Sequence, residues 1–153
     1  MKGLSNTYQW VYKQMKLIQL KLKNFRCYQE EAIVDINDIT VFIGKNDSGK
    51  SSVLEALDIY FNEPRGLPDK DDYHISSGDS NIEITCIFND LPEKLILDVN
   101  TSTTLKDEYL LNDTGNLEIK KIFPKSGKME IYAVANHPQN ETCNDLLLKK
   151  IKI

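Results

Sequence analysis

Eight consecutive residues concentrate the chemistry available to this chain: Gly44-Lys45-Asn46-Asp47-Ser48-Gly49-Lys50-Ser51, an intact G-x-x-x-x-G-K-[ST] pattern. Gly44 and Gly49 let the backbone turn tightly around an anion without a clashing side chain. The amides from Asn46 through Asp47, Ser48 and Gly49 to Ser51 can point at phosphate oxygens, helped by the positive end of a following helix. The Lys50 ammonium has the reach for the β- and γ-phosphates, and the Ser51 hydroxyl suits Mg²⁺. Ser52 adds a donor toward the α-phosphate. The competing reading, a plain turn that caps a helix, does not account for a β-branched strand pattern before the loop and an amphipathic helix pattern after it.

Hydrolysis needs more than a cradle. An acidic residue at the end of a second core strand must hold Mg²⁺ through water, and a base must orient the attacking water. No hydrophobic run after Ser51 ends in Asp-Glu; Leu105-Lys106-Asp107-Glu108 has a single apolar residue before its acids. No catalytic residue is therefore assigned. Gln139, between Pro138 and Asn140, suits either a glutamine-loop role or an ordinary surface turn, and His74 and His137 read as solvent-facing.

The elements that must position the loop follow from periodicity. Lys16 to Leu22 largely alternates apolar and polar side chains, as a half-buried strand does. A second strand is expected at Ala32 to Ile36 and a turn at Asn37-Asp38. Ile39-Thr40-Val41-Phe42-Ile43 reads as a strand buried on both faces, running directly into Gly44. Ser52 to Phe61 then places Val53, Leu54, Ala56, Leu57, Tyr60 and Phe61 at helical spacing. Residues 62–80, with Pro64, Gly66, Pro68 and Gly78, read as a surface loop or mobile insert. Beyond them lies a strand-rich lobe over 82–134. Ile82, Ile84, Cys86 and Phe88 share one face of its first strand. Further strands are expected at Lys94 to Val99, Leu117 to Phe123 and Met129 to Val134, with turns at Asn112 to Asn116 and Lys125 to Lys128. Thr142 to Lys150 has the pattern of a helix start.

Composition bounds the function classes. The 153 residues fit one domain; 41% are hydrophobic and 27% charged, the balance of a globular protein. Nineteen Lys and Arg against twenty-three Asp and Glu give a net charge of −4, which excludes a domain-wide basic footprint for nucleic acid. Lys13, Lys16, Lys21, Lys23 and Arg26 do cluster, as a local basic surface or as the solvated face of an edge strand. No run approaches a membrane span, and Met1 to Gln14 lacks the apolar core of a signal peptide, so a cytoplasmic location without membrane attachment is the expectation. Cys27, Cys86 and Cys143 are widely spaced and odd in number, and read as reduced thiols. Met15 looks more like a domain start than Met1, which leaves 1–14 as an N-terminal extension.

The segment from Met15 to Phe61 resembles the ABC-type ATPases that include the RecF, SMC and OLD-family proteins. The resemblance rests on the strand ending in Asn24-Phe25-Arg26, the loop with Asn46, and Leu54-Glu55-Ala56-Leu57 in the helix. The Asn-Asp-Ser-Gly-Lys-Ser form of the loop is most similar to the OLD branch of ATP-dependent endonucleases and antiphage ATPases; Asp71-Asp72-Tyr73-His74 and the stretch from Ile82 fit it more loosely. The resemblance implies an α/β P-loop nucleoside triphosphate hydrolase fold, an incomplete ABC-type head over 15–153. It implies ATP and Mg²⁺ as ligands, with Arg26 near the nucleotide's phosphates or adenine. It further implies a homodimer or higher oligomer in which two heads close around two ATP molecules, and DNA as the target of the full-length protein. The signature sequence, the second acidic motif and a nuclease-type acidic cluster are not found here.

Two functions are therefore carried forward. One is ATP binding by the N-terminal part of a DNA-directed ATPase. The other is a non-catalytic regulatory module built on the same fold.

Overall fold

The computed structural model describes residues 15–45, 48–62, 67–76, 78, 80–98 and 101–136. The expected extension at 1–14, His137, Gln139, Cys143 and the helix pattern from Thr142 lie outside them.

A mixed polar and apolar alternation builds the main sheet. β1 (Lys16–Lys23) pairs antiparallel with β2 (Ala32–Asp35) on one side. On its other side it pairs with β3 (Ile82–Asn89), which lies downstream of the helix α1 (Lys50–Phe61) and a 3-10 turn (Lys70–Asp72). After a separate two-stranded sheet of β4 (Leu95–Asp98) and β5 (Thr101–Thr103), β6 (Leu117–Phe123) and β7 (Glu130–Ala133) complete the order β2-β1-β3-β6-β7. Every pairing in that sheet is antiparallel.

The period-2 pattern sorts the two faces. Leu20, Leu22, Ile82, Ile84, Cys86 and Phe123 turn inward and are buried, and α1 lays Val53, Ala56, Ile59 and Tyr60 against them. The Tyr60 hydroxyl donates to the Ile119 carbonyl at 3.1 Å, tying the helix to β6. The opposite face is polar and closed by ion pairs. Lys21 Nζ reaches Glu118 at 2.8 Å, and Glu83 takes Lys120 at 2.8 Å and Lys23 at 3.5 Å.

Three expectations change. First, β1 is not an edge strand: it lies between β2 and β3, and its lysines are consumed by cross-strand carboxylates rather than forming a free basic surface. Lys16 pairs with Asp38, and Lys13 is outside the described residues. Second, Ile39 to Ile43 is not a buried strand. The run has no ladder among the described residues, and Ile39, Val41 and Ile43 are 84%, 72% and 92% exposed. Its β-branched composition is that of a strand covered on both faces, yet among the described residues it pairs with neither edge strand of the sheet, β2 or β7. Third, the helix face is narrower than its apolar pattern: Leu54 and Phe61 are exposed, although the Phe61 ring still meets Phe88 of β3 edge-on at 6.3 Å.

The centre of the segment read as a surface loop is docked. Asp69 and Asp72 form a reciprocal capping box around the 3-10 turn, Asp72 is buried, and the Tyr73 hydroxyl donates to the Phe123 carbonyl at 3.3 Å.

Candidate functional site

Gly49 begins α1 in the left-handed region, at φ 85°. That conformation suits glycine. No side chain caps the helix start, and its first turn carries no acidic residue. The first amides and the positive end of the helix dipole are thus left to whatever the loop surrounds. Lys50 folds back over the loop: its ammonium donates to the Gly44 carbonyl at 2.9 Å, the Lys45 carbonyl at 2.5 Å and Ser48 Oγ at 3.1 Å. The charge is therefore centred over the turn. Gly44 is crowded, since a Cβ there would lie 2.8 Å from Ser48 Oγ. Ser51 is exposed at the helix start, whereas Ser52 is buried beneath it. Asn46 and Asp47 lie outside the described residues.

A second element presses on the loop from the side. β1 and β2 are joined through a tight turn in which Phe25 N–H donates to the Tyr28 carbonyl at 3.0 Å and Tyr28 N–H to the Phe25 carbonyl at 2.8 Å. The Tyr28 hydroxyl donates to the Gly49 carbonyl at 3.2 Å. A Cβ on Gly49 would stand 2.7 Å from both Tyr28 Oη and Cys27 Sγ. Gly49 is thus required twice, by its φ and by this approach. Burial, with a smaller contribution from Cys27, raises the Tyr28 phenol's pKa, so it stays a neutral donor at physiological pH.

Arg26, placed near the nucleotide by resemblance, sits in the same turn. Its Nε donates to Asp72 Oδ1 at 2.7 Å, its NH1 pairs with Glu55 of α1, and its carbon Cζ lies 5.5 Å from the centre of the Phe25 ring. The structure therefore brings Arg26, Gly49 and the helix start into one neighbourhood through residues 27 and 28. Tyr28, Cys27, Glu55 and Asp72 were not assigned to the site from sequence. Glu55, in Leu54-Glu55-Ala56-Leu57, and the Asp71-Asp72 pair gave a signal through the family resemblance, and nothing in the spacing of Tyr28 distinguishes it from a core tyrosine.

The donor set fits a triphosphate: uncapped amides, a centred ammonium and a glycine pair with no room for side chains. Among the described residues no group of three or more His, Cys, Asp or Glu could hold a metal ion. Mg²⁺ would therefore depend on the Ser51 hydroxyl, the phosphates and water, as is usual for this ion.

Residues 15–153 match the AAA ATPase domain family. This chain belongs to that family. A Rad50 DNA double-strand break repair ATPase of Pyrococcus abyssi is 33% identical over 88 residues, 54% of this chain and 10% of that protein. A RecF DNA replication and repair protein of Lactococcus lactis is 42% identical over 43 residues, 28% of this chain and 12% of that protein. The chain thus spans only about a tenth of the curated relatives it matches. A chain from a structural study of ATP-driven dimerization and DNA-stimulated activation of SMC ATPases superimposes with a TM-score of 0.52 at 17% identity, covering 86% of this chain and 77% of that one. The fold is an α/β P-loop type resembling an ABC-type ATPase head with a strand-rich lobe, and part of the chain is similar to the Rad50 and RecF proteins. Among the described residues, no helix is long and apolar enough to cross a membrane.

Proposed function

We propose that this chain binds Mg²⁺–ATP at residues 44–52, as the N-terminal part of an ABC-type head in a DNA-directed ATPase of the OLD-like endonuclease or phage-defence kind. The observation that carries the reading is the uncapped start of α1 set behind the glycine loop, with Lys50 centred over it. Backbone amides of 46–51 take the phosphate oxygens, Lys50 the β/γ-phosphates, Ser51 the metal, Ser52 the α-phosphate side and Arg26 the phosphates or adenine. The OLD-like assignment is supported by the Asn-Asp-Ser-Gly-Lys-Ser form of the loop and by Asp71-Asp72-Tyr73-His74.

Bound Mg²⁺ neutralises phosphate charge; the chain's own part is to bind and orient. The sequence after Ser51 offers no acid at a strand end to hold Mg²⁺ through water and no assigned base for the attacking water, so the activity assigned to these residues is nucleotide binding. In the full-length protein two heads close face to face around ATP, each contacting the nucleotide held by the other, in a homodimer or higher oligomer acting on DNA in the cytoplasm. The exposed run of Ile39, Val41 and Ile43 fits a segment that is covered by further protein, which suits both this reading and a non-catalytic regulatory module bound to a larger ATPase.

Calorimetric titration with Mg²⁺–ATP tests the core claim. Lys50→Ala should weaken binding at least about tenfold, the loss of one charge-assisted phosphate contact. Equal affinity in both proteins would sink the reading.

A further inference from the structure

Arg26 occupies a position that a two-residue hairpin loop ordinarily gives to glycine. Arg26 and Cys27 are the central residues of the turn, and Arg26 has φ 48°. A positive φ is strained at a non-glycine residue, because its Cβ crowds the following carbonyl oxygen. Such strain persists only where surrounding contacts over-determine it. Here they do: Arg26 N–H donates to the Asp72 carbonyl at 2.7 Å, Phe25 bridges to Tyr73, and His74 N–H donates to the Asn24 carbonyl at 3.0 Å.

The two carboxylates on the guanidinium are unequal. The Asp72 side chain is 9% exposed, holds Arg26 Nε through Oδ1, and takes Asp69 N–H at 2.9 Å through Oδ2. The Glu55 side chain is 46% exposed and projects from α1 onto NH1. An exposed pair of this kind contributes little and is screened by salt, whereas a phosphate can offer the guanidinium two parallel hydrogen bonds. Two carboxylates on one guanidinium also leave excess negative charge beside an anion site.

We propose that Asp72 and Glu55 are positioning residues of the nucleotide site that act through Arg26. Asp72 holds the strained arginine beside the phosphate loop, and Glu55 is the exchangeable partner that a nucleotide phosphate displaces. The docked centre of the 62–80 segment thereby becomes part of the binding site rather than a surface excursion. The inference rests on the ATP-binding reading above.

The test is a set of Mg²⁺–ATP affinities for the full chain in two backgrounds, wild type and Arg26→Ala. In the wild-type background Asp72→Asn should weaken binding by about tenfold, the scale of one charge-assisted hydrogen bond. Glu55→Gln should tighten it by about two- to fivefold, the scale of an exposed ion pair. Both effects should vanish in the Arg26→Ala background. Equal losses for Asp72→Asn in the two backgrounds would reduce Asp72 to a structural role and overturn the proposal while leaving the ATP site intact. Persistence of the Glu55→Gln gain without Arg26 would reveal simple charge repulsion and overturn it likewise. If Asp72→Asn does not fold, Glu55→Gln decides alone, because it keeps the side chain's shape and removes only its charge. Wild-type binding that ignores Lys50→Ala would bring down both this proposal and the reading it rests on.

Discussion

The antiparallel lobe and the loop-bearing segment of this molecule are built on opposite terms. In the lobe, β1, β3 and β6 find partners on both edges, the inner face is buried, and the outer face closes its charges among Lys21, Lys23, Lys120, Glu83 and Glu118. In the segment from Ile39 through Gly44, β-branched side chains face solvent, and the helix that follows begins without a cap. Local periodicity is nearly the same in both. The difference is in how much of each is covered: the lobe finds its complementary surface within the described residues, whereas in the segment that carries the phosphate loop Phe42 packs against the core and Ile39, Val41 and Ile43 stay exposed. On the ATP-binding reading proposed above, the asymmetry has a use, because the uncapped amides and the centred lysine would meet a nucleotide rather than protein.

The largest effect that separates the two regions is a core truncation. Leu22→Ala removes a fully buried side chain between sheet and helix and should destabilise the chain by about 3 kcal/mol. Ile43→Ala, at an equally apolar residue, should change stability by less than about 0.5 kcal/mol. Denaturant titrations of the two variants measure both. A comparable loss for Ile43 would mean that the loop-bearing segment is packed after all, and the contrast between the regions would collapse.

The next effect lies where the regions touch. Gly49→Ala forces a methyl into the space of Cys27 Sγ and Tyr28 Oη at a positive φ, and should cost about 2 kcal/mol of stability. Tyr28→Phe removes only the hydroxyl bond to the Gly49 carbonyl and should cost about 1 kcal/mol. The two substitutions together should be less than additive, since both act on one contact. Thermal unfolding of the single and double variants reads this directly. Strict additivity would show that the turn and the loop are not coupled.

How much of this was legible from residues alone differs by region in the same way. The strands at Lys16–Lys23, Ile82–Asn89 and Leu117–Phe123 follow from alternation, because each is flanked by its own partners and the pattern need satisfy only one buried face. The phosphate loop was legible because its glycines and lysine are demanded by chemistry at fixed spacing. The status of Ile39–Ile43 was not legible: a doubly apolar run states that cover is needed but not who provides it. The pairing of β1 with β3 across α1 was equally hidden. It turned an expected edge strand into an interior one and the lysine cluster into ion pairs. The role of Asp72 was not legible, because acids among prolines and glycines look like solvated loop; its docking against Arg26 shows what it holds.

The polar face of the lobe yields a smaller, pH-dependent effect. Burial pushes Glu83 and Glu118 up, but Lys120 and Lys23 around Glu83 outweigh it, as do Lys21, Asn112 and Lys120 around Glu118. Both carboxyls therefore end below the ordinary value of 4.5. A depressed folded-state value contributes stability above the unfolded value that is lost as pH falls through the folded one. Unfolding free energy should thus hold steady above about pH 5 and decline below it. Glu118→Gln should flatten part of that decline and cost about 1 kcal/mol at neutral pH. An unchanged acid limb in Glu118→Gln would show that the face is not held by charge.

The finest probe of the contrast is thiol reactivity. Cys27 is exposed beside Gly49, whereas Cys86 is buried on the inner face of β3. Burial outweighs the Tyr60 hydrogen bond and the nearby Lys121 charge, and pushes the Cys86 thiol up to about 12. Against an ordinary value of 9.0, its thiolate population near neutral pH is lower by about a thousandfold, before any steric protection is counted. Pulsed alkylation with peptide-level mass detection should therefore label Cys27 in the native protein within the pulse and leave Cys86 untouched until denaturant is added. The lobe would have to open as a unit to expose Cys86, so its labelling should track global unfolding across a denaturant series. Cys27 labelling should be independent of denaturant, because no core contact guards it. Native-state labelling of Cys86 at the Cys27 rate would mean that the sheet opens locally at β3, and a lobe that opens there cannot be the rigid base on which the loop-bearing segment is mounted.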